Sequence, residues 1–166
     1  TGRHLYEIIQ YAKLLIMSIE SKVLGQQVAY PTDYCPSILV PVPRSLNREI
    51  YDIHTPEELF LGFDTWHAYE AGFLARNGLP VCGVLKLIYP ANSPCIVESK
   101  SLKLYLNSLN MTRLGEDIPS GIETYLQTVK SDLEQILQTC VEATFFRQAP
   151  EKTYFDFQDY TLLEAI

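Results

Sequence analysis

Within six positions of the chain, Glu98, Ser99, Lys100, Ser101 and Lys103 bring together one carboxylate, two hydroxyls and two ammonium groups. A carboxylate accepts hydrogen bonds from ligand edges that carry adjacent N–H donors, and ammonium groups suit phosphate. The run opens with apolar Cys95, Ile96 and Val97, and from Leu102 its pattern turns helical. Leu102, Tyr105, Leu106 and Leu109 fall at i, i+3, i+4 and i+7, while Lys100, Lys103 and Asn107 fall on the other side. The acid therefore stands where a strand or loop gives way to a helix, with the lysines flanking the helix start. The unpaired N–H groups of a first helical turn favour anions at such a place. The same spacing also describes an ordinary amphipathic helix with a solvated basic side.

Read as a string, Glu98-Ser99-Lys100-Ser101-Leu102-Lys103-Leu104-Tyr105 resembles the signature of the QueF family at all eight positions. These are the NADPH-dependent 7-cyano-7-deazaguanine reductases of queuosine biosynthesis, a tRNA modification. The resemblance runs from about Leu24 to the last residue and is closest to the N-terminal half of the two-module members. It implies an α+β tunnelling fold (T-fold), an antiparallel sheet with a helix pair on one face in the order ββααββ. In that fold, sheets from several modules join around a central tunnel and sites form between modules.

The chemistry the resemblance implies is a four-electron reduction of a nitrile to a primary amine. A cysteine thiolate adds to the nitrile carbon, hydride arrives twice from NADPH, and an aspartate supplies a proton. By position, Val97, Glu98 and Ser99 match the family's substrate contacts, and Ser99, Lys100 and Lys103 match its cofactor contacts. No residue of this chain matches the catalytic pair. The family's nucleophilic Cys is followed by an Asp seven residues later, but Val42 stands seven after Cys35, and Cys95 lies three before Glu98. The pair is expected in a C-terminal module, so the chain reads as an N-terminal half, inert alone, that contributes substrate and NADPH contacts to a cytoplasmic homo-oligomer, a homodimer. Two other readings stay open: a non-catalytic deazapurine-binding or scaffolding module, and another tunnelling-fold enzyme of the pterin or amidine-forming kind.

Composition narrows the classes. At 166 residues, 47% hydrophobic and 20% charged, the chain is an ordinary globular size and balance. A net charge of −7 speaks against nucleic acid or an anionic membrane as partner and makes the lysine pair a local positive site. The four cysteines, 35, 82, 95 and 140, form no CxxC pair and no metal-ligand spacing, so no metal is expected. No stretch approaches the ~20 apolar residues of a membrane span.

The elements that must position the motif follow. Residues 4–23 are spaced as an amphipathic leader helix ended by Gly25. Residues 24–60 form an arm, punctuated by Pro31, Pro36, Pro41, Pro43 and Pro56, which keeps it extended over a surface. Arg44 and Arg48 are read as fastening that arm to its own domain by charge-assisted hydrogen bonds, with phosphate binding as the other reading. Residues 61–166 form the T-fold module. It opens with a hairpin over 62–90 that turns at Asn77-Gly78, with Val81, Leu85 and Leu87 on one face and Val84 and Ile88 on the other, so that both faces are expected to be covered. Its first strand, Gly62-Phe63-Asp64-Thr65-Trp66-His67-Ala68-Tyr69-Glu70, resembles a family stretch that has Asn where His67 stands, and His67 is read as structural. A second helix is expected over 120–139, with Ser120 as N-cap and Glu123 at N3. A strand is expected over 141–146 and another at 162–166.

Overall fold

The computed structural model describes residues 31–54 and 61–148. In chain order the elements are β1 (Pro41–Pro43), a short helix α1 (Ser45–Arg48), β2 (Phe63–Leu74), β3 (Pro80–Pro90), β4 (Cys95–Val97), α2 (Ser99–Leu109), α3 (Ile118–Leu137) and β5 (Glu142–Phe146). The leader helix and the strand at 162–166 lie outside the described residues.

Among the described residues the strands form two antiparallel sheets. A three-stranded sheet has the order β2-β3-β5, and a two-stranded one pairs β1 with β4. The long hairpin arises because Asn77-Gly78 supplies the turn, with Gly78 at φ 85°, and both flanking runs are rich in β-branched and aromatic residues. Alternation then sorts the central strand. Val81, Leu85, Leu87 and Tyr89 are at most 3% exposed. They join Phe73 from β2, Tyr105, Leu106 and Leu109 from α2, and Tyr125, Val129 and Leu133 from α3 in one core. This α+β arrangement, with a helix pair on one face of an antiparallel sheet, is consistent with the tunnelling fold.

The opposite sheet face departs from expectation. Val84, Lys86 and Ile88 are half-buried and Cys82 is exposed among the described residues. Both long helices pack on the other face, so apolar alternation on this side does not translate into full burial.

The arm is extended only in part. Its prolines keep 39–43 straight enough to pair Val42 with Ile96, while the proline-free run after Pro43 curls into α1 and a 3-10 turn, Glu49–Tyr51. Arg44 and Arg48 do fasten it. Arg44 Nε and Nη2 donate to Ser93 Oγ at 3.2 and 3.1 Å, and Nη2 also pairs with Asp64. Arg48 Nη2 donates to the Ala91 carbonyl at 2.9 Å. Nearer the N-terminus, Tyr34 OH donates to Asp132 Oδ2 of α3 at 2.7 Å, an acceptor shared with Tyr105 OH at 2.5 Å. Burial and the Asp132 bond push the Tyr34 phenol up to about 12, so it stays a donor.

The long helix starts two residues before the expected Ser120. Asp117 is its N-cap, accepting from Ser120 N at 2.9 Å, while the Ser120 hydroxyl accepts from Asp117 N at 3.1 Å. Pro119 fits because the first helical positions need no intrahelical N–H partner. The helix ends at Leu137, short of the expected 139, because Gln138 takes a left-handed φ of 54°.

Candidate functional site

The motif is divided between the core and the surface. Ser101, Leu102, Leu104 and Tyr105 are buried. Ser101 Oγ accepts from Val40 N of the arm at 3.1 Å and donates to the Glu98 carbonyl at 2.8 Å, and Glu98 N donates to the Val40 carbonyl at 3.0 Å. Half of the signature is therefore structural and ties the helix start to β1. Glu98 and Lys100 are half-buried, and Ser99 and Lys103 are exposed.

Helix α2 begins at Ser99, three residues before the apolar periodicity announces it, because Glu98 caps it. Glu98 Oε1 accepts from Lys100 N at 2.9 Å and Oε2 accepts from Ser101 N at 2.6 Å. A glutamate is not among the preferred caps, which are Ser, Thr, Asp and Asn. The Ser99 hydroxyl also donates to Oε1, at 3.5 Å, so the carboxylate keeps its further acceptor capacity chiefly on Oε2.

Ser99 and Lys103 meet β2 across a pocket of about 200 Å³ lined by Trp66, His67, Ala68, Glu70, Ser99, Leu102, Lys103 and Leu106. Trp66 forms part of the pocket's apolar wall with Leu102 and Leu106. Its indole Nε1 donates to Tyr89 OH at 2.8 Å. That oxygen also accepts from Val97 N at 3.4 Å, so one buried phenol links the pocket wall to the strand that leads into the motif. Burial raises the Tyr89 phenol above its ordinary range.

Lys103 Nζ lies 2.9 Å from Glu70 Oε1, and that ammonium holds the Glu70 carboxyl below the usual carboxylate range. Glu70 continues the alternation of Trp66 and Ala68 on the pocket side, and the register shift between Ala68 and Ala71 changes which side chains turn toward the helices beyond it.

The expected site residues are thus placed differently from one another. Ser99 and Lys103 share the pocket. Lys100 and Glu98 stand beside it at the helix start, outside its lining. Val97 is 1% exposed, so only its main chain is available to a ligand. Trp66 and Glu70 are the neighbours that spacing within the motif did not reveal. Their signal was the aromatic-rich stretch of β2, whose meeting with α2 is a tertiary contact. Cys35 and Cys95 are half-buried free thiols, and Cys35 Sγ lies 3.3 Å from Ser37 Oγ. Among the described residues no three His, Cys, Asp or Glu side chains converge as a metal site, and no helix is long and apolar enough to cross a membrane.

Comparison with known proteins agrees with the motif. Residues 30–145 match the family model described as "Nitrile reductase, 7-cyano-7-deazaguanine-reductase N-term". Three relatives bear the name NADPH-dependent 7-cyano-7-deazaguanine reductase. The protein of Acinetobacter baumannii (strain ATCC 17978) is 39% identical over 131 residues, 79% of this chain and 46% of the relative. That of Psychrobacter cryohalolentis is 41% identical over 131 residues, 78% of this chain and 44% of the relative. That of Xanthomonas campestris pv. campestris (strain 8004) is 45% identical over 111 residues, 66% of this chain and 41% of the relative. The chain spans about half the length of the curated relatives it matches.

Proposed function

The chain belongs to the nitrile reductase family of 7-cyano-7-deazaguanine reductases, and from that membership we propose that it is the N-terminal module of a reductase that converts 7-cyano-7-deazaguanine to 7-aminomethyl-7-deazaguanine on the route to queuosine in tRNA. The observation that carries this reading is the convergence of motif residues Ser99 and Lys103 on one pocket with Trp66, beside the Glu98-capped helix start.

Each residue has a role in it. Glu98 accepts from N–H donors on the deazapurine base edge, using the acceptor capacity left after capping and, at Oε1, displacing the long Ser99 hydroxyl bond. Val97 contributes its main chain and Ser99 its hydroxyl to the same ligand. The donor set also fits NADPH. Ser99, Lys100 and Lys103 offer a hydroxyl and two ammonium groups near the start of α2, and ammonium groups suit phosphate. When bound, NADPH supplies hydride. The apolar wall of Trp66, Leu102 and Leu106 helps keep water from that end of the site.

The nucleophilic Cys and the proton-donating Asp belong, in this reading, to a C-terminal T-fold module. The division of the chain into a leader at 1–23, an arm at 24–60 and a module from 61 belongs to the same proposal, as do homodimerisation and a cytoplasmic setting. Four cysteines without a disulfide suit a reducing compartment.

The test is to mix the chain with 7-cyano-7-deazaguanine and NADPH, following NADPH absorbance and intact mass together, and to repeat it with the full-length protein. The expected result is deazapurine binding without adduct or oxidation by the chain, and NADPH consumption by the longer protein. A covalent adduct on Cys35 or Cys95 would overturn the division of labour. A full-length protein that binds but never turns over would favour a non-catalytic binding module.

A further inference from the structure

Glu70 and Lys103 face each other across the mouth of the pocket, and the reading of that pocket as a cofactor site leaves Glu70 without a role. We propose that Glu70 is an exchangeable internal counter-ion for Lys103: it holds the ammonium across the pocket mouth until an anionic ligand, a phosphate or pyrophosphate group, takes its place. The inference rests on the site reading above and adds to it a competitor for the anion.

Three observations carry it. Among the described residues lining the pocket, Glu70 is the only acid and Lys103 the only lysine, and they are 2.9 Å apart. Glu70 shares the alternation of Trp66 and Ala68, which places all three on the pocket side of β2 facing the start of α2. The pair is also breakable. Side-chain exposure is 58% for Lys103 and 51% for Glu70, so water screens the attraction and the bond is given up at small cost. A buried pair would behave in the opposite way, because its separated charges would be stranded. A ligand phosphate brings more charge than one carboxylate and therefore wins the ammonium, while Glu70 lowers the net affinity by repulsion and prior occupancy.

The sign of the mutational effect separates this from a passive prop. If Glu70 merely props Lys103 in place, its removal weakens anion binding. If it competes, its removal strengthens binding. An exposed pair corresponds to a change of about two- to fivefold at low salt. Trp66, the only tryptophan of the chain, lines the pocket and reports occupancy by fluorescence.

The experiment titrates inorganic pyrophosphate and, separately, NADPH into the chain carrying its own Glu70, Glu70→Gln, Lys103→Gln, and both substitutions. The full-length protein with the same changes gives KM for NADPH against kcat. The expected result is a two- to fivefold tighter pyrophosphate complex for E70Q, a gain that disappears in the K103Q background and shrinks as salt is raised. In the full-length protein the change falls on KM for NADPH more than on kcat. Weaker or unchanged binding by E70Q overturns the inference, as does an equal gain in the K103Q background, which would mark a general field effect. Pyrophosphate that tightens while NADPH fails to bind upholds the counter-ion and refutes the cofactor reading. NADPH bound equally by the parent and E70Q does the reverse. Pyrophosphate that binds neither protein overturns the inference.

Discussion

Replacing Glu98 separates two demands placed on one carboxylate. It caps α2 through the main-chain N–H groups of Lys100 and Ser101, at 2.9 and 2.6 Å. Exchanging an N-cap for alanine costs about 0.5–2 kcal/mol, and loss of a negative charge at a helix N-terminus costs about 0.3–1 kcal/mol, part of the same effect. Glu98→Ala is therefore expected to lower stability by about 1–2 kcal/mol, or about 2–8 °C in Tm for a chain of this size. Glu98→Ser restores a preferred cap without the long carboxylate. Its stability is expected to recover most of the loss, to within about 0.5 kcal/mol of the parent. If the carboxylate also binds the base edge of the deazapurine, both variants lose substrate binding and turnover in the full-length protein. Thermal unfolding followed by circular dichroism, beside NADPH consumption, reads the two effects independently. An unshifted Tm in E98A, or an E98S as unstable as E98A, would refute the capping argument. Normal turnover in E98S would refute the assignment of Glu98 to the substrate.

Two further predictions concern the scaffold. Gly121→Ala places a methyl group 2.6 Å from Phe73 Cε2 and 2.8 Å from the Leu114 carbonyl; overpacking of about 1–3 kcal/mol is expected to exceed the helix-propensity gain of up to about 1 kcal/mol, giving a lower midpoint in urea. The Asp117 carboxyl is held below its ordinary range chiefly by the Ser120 hydroxyl, then by the Ser120 N–H. A depressed carboxyl stabilises the fold above its unfolded-state value and loses that contribution as pH falls through the folded-state value, so Asp117→Asn, still a good cap, is expected to flatten the acid limb of the stability profile measured by unfolding from neutral to acid pH.

Much of the fold was legible because local rules and tertiary demands agree. The Asn77-Gly78 turn between alternating runs is a hairpin in any context, and the stripe from Tyr125 through Val129 and Leu133 to Leu137 is fully buried, as helical spacing requires. The start of the long helix was less legible. Ser120 with Glu123 and Asp117 with Ser120 are both plausible caps, and Pro119 at the second helical position favours the earlier one. The curl of 45–51 was hidden by the prolines on either side, which describe their own neighbourhood and not the run between them.

For the site, the amino-acid sequence by itself determined the family, the placement of a carboxylate at a helix start and the lysines on its outer side, because these depend on residues within one or two helical turns. Only the tertiary structure decided which of those groups work together. It buried the Val97 side chain, committed both Glu98 oxygens to main-chain N–H groups, and set Lys103 against Glu70 and Ser99 opposite Trp66. Those pairings join β2 to α2 across about thirty residues of chain, and a bulge changes which β2 side chains turn toward the helices beyond it. Contacts between distant segments follow from how the sheet and helix pack, which the spacing within either segment does not encode.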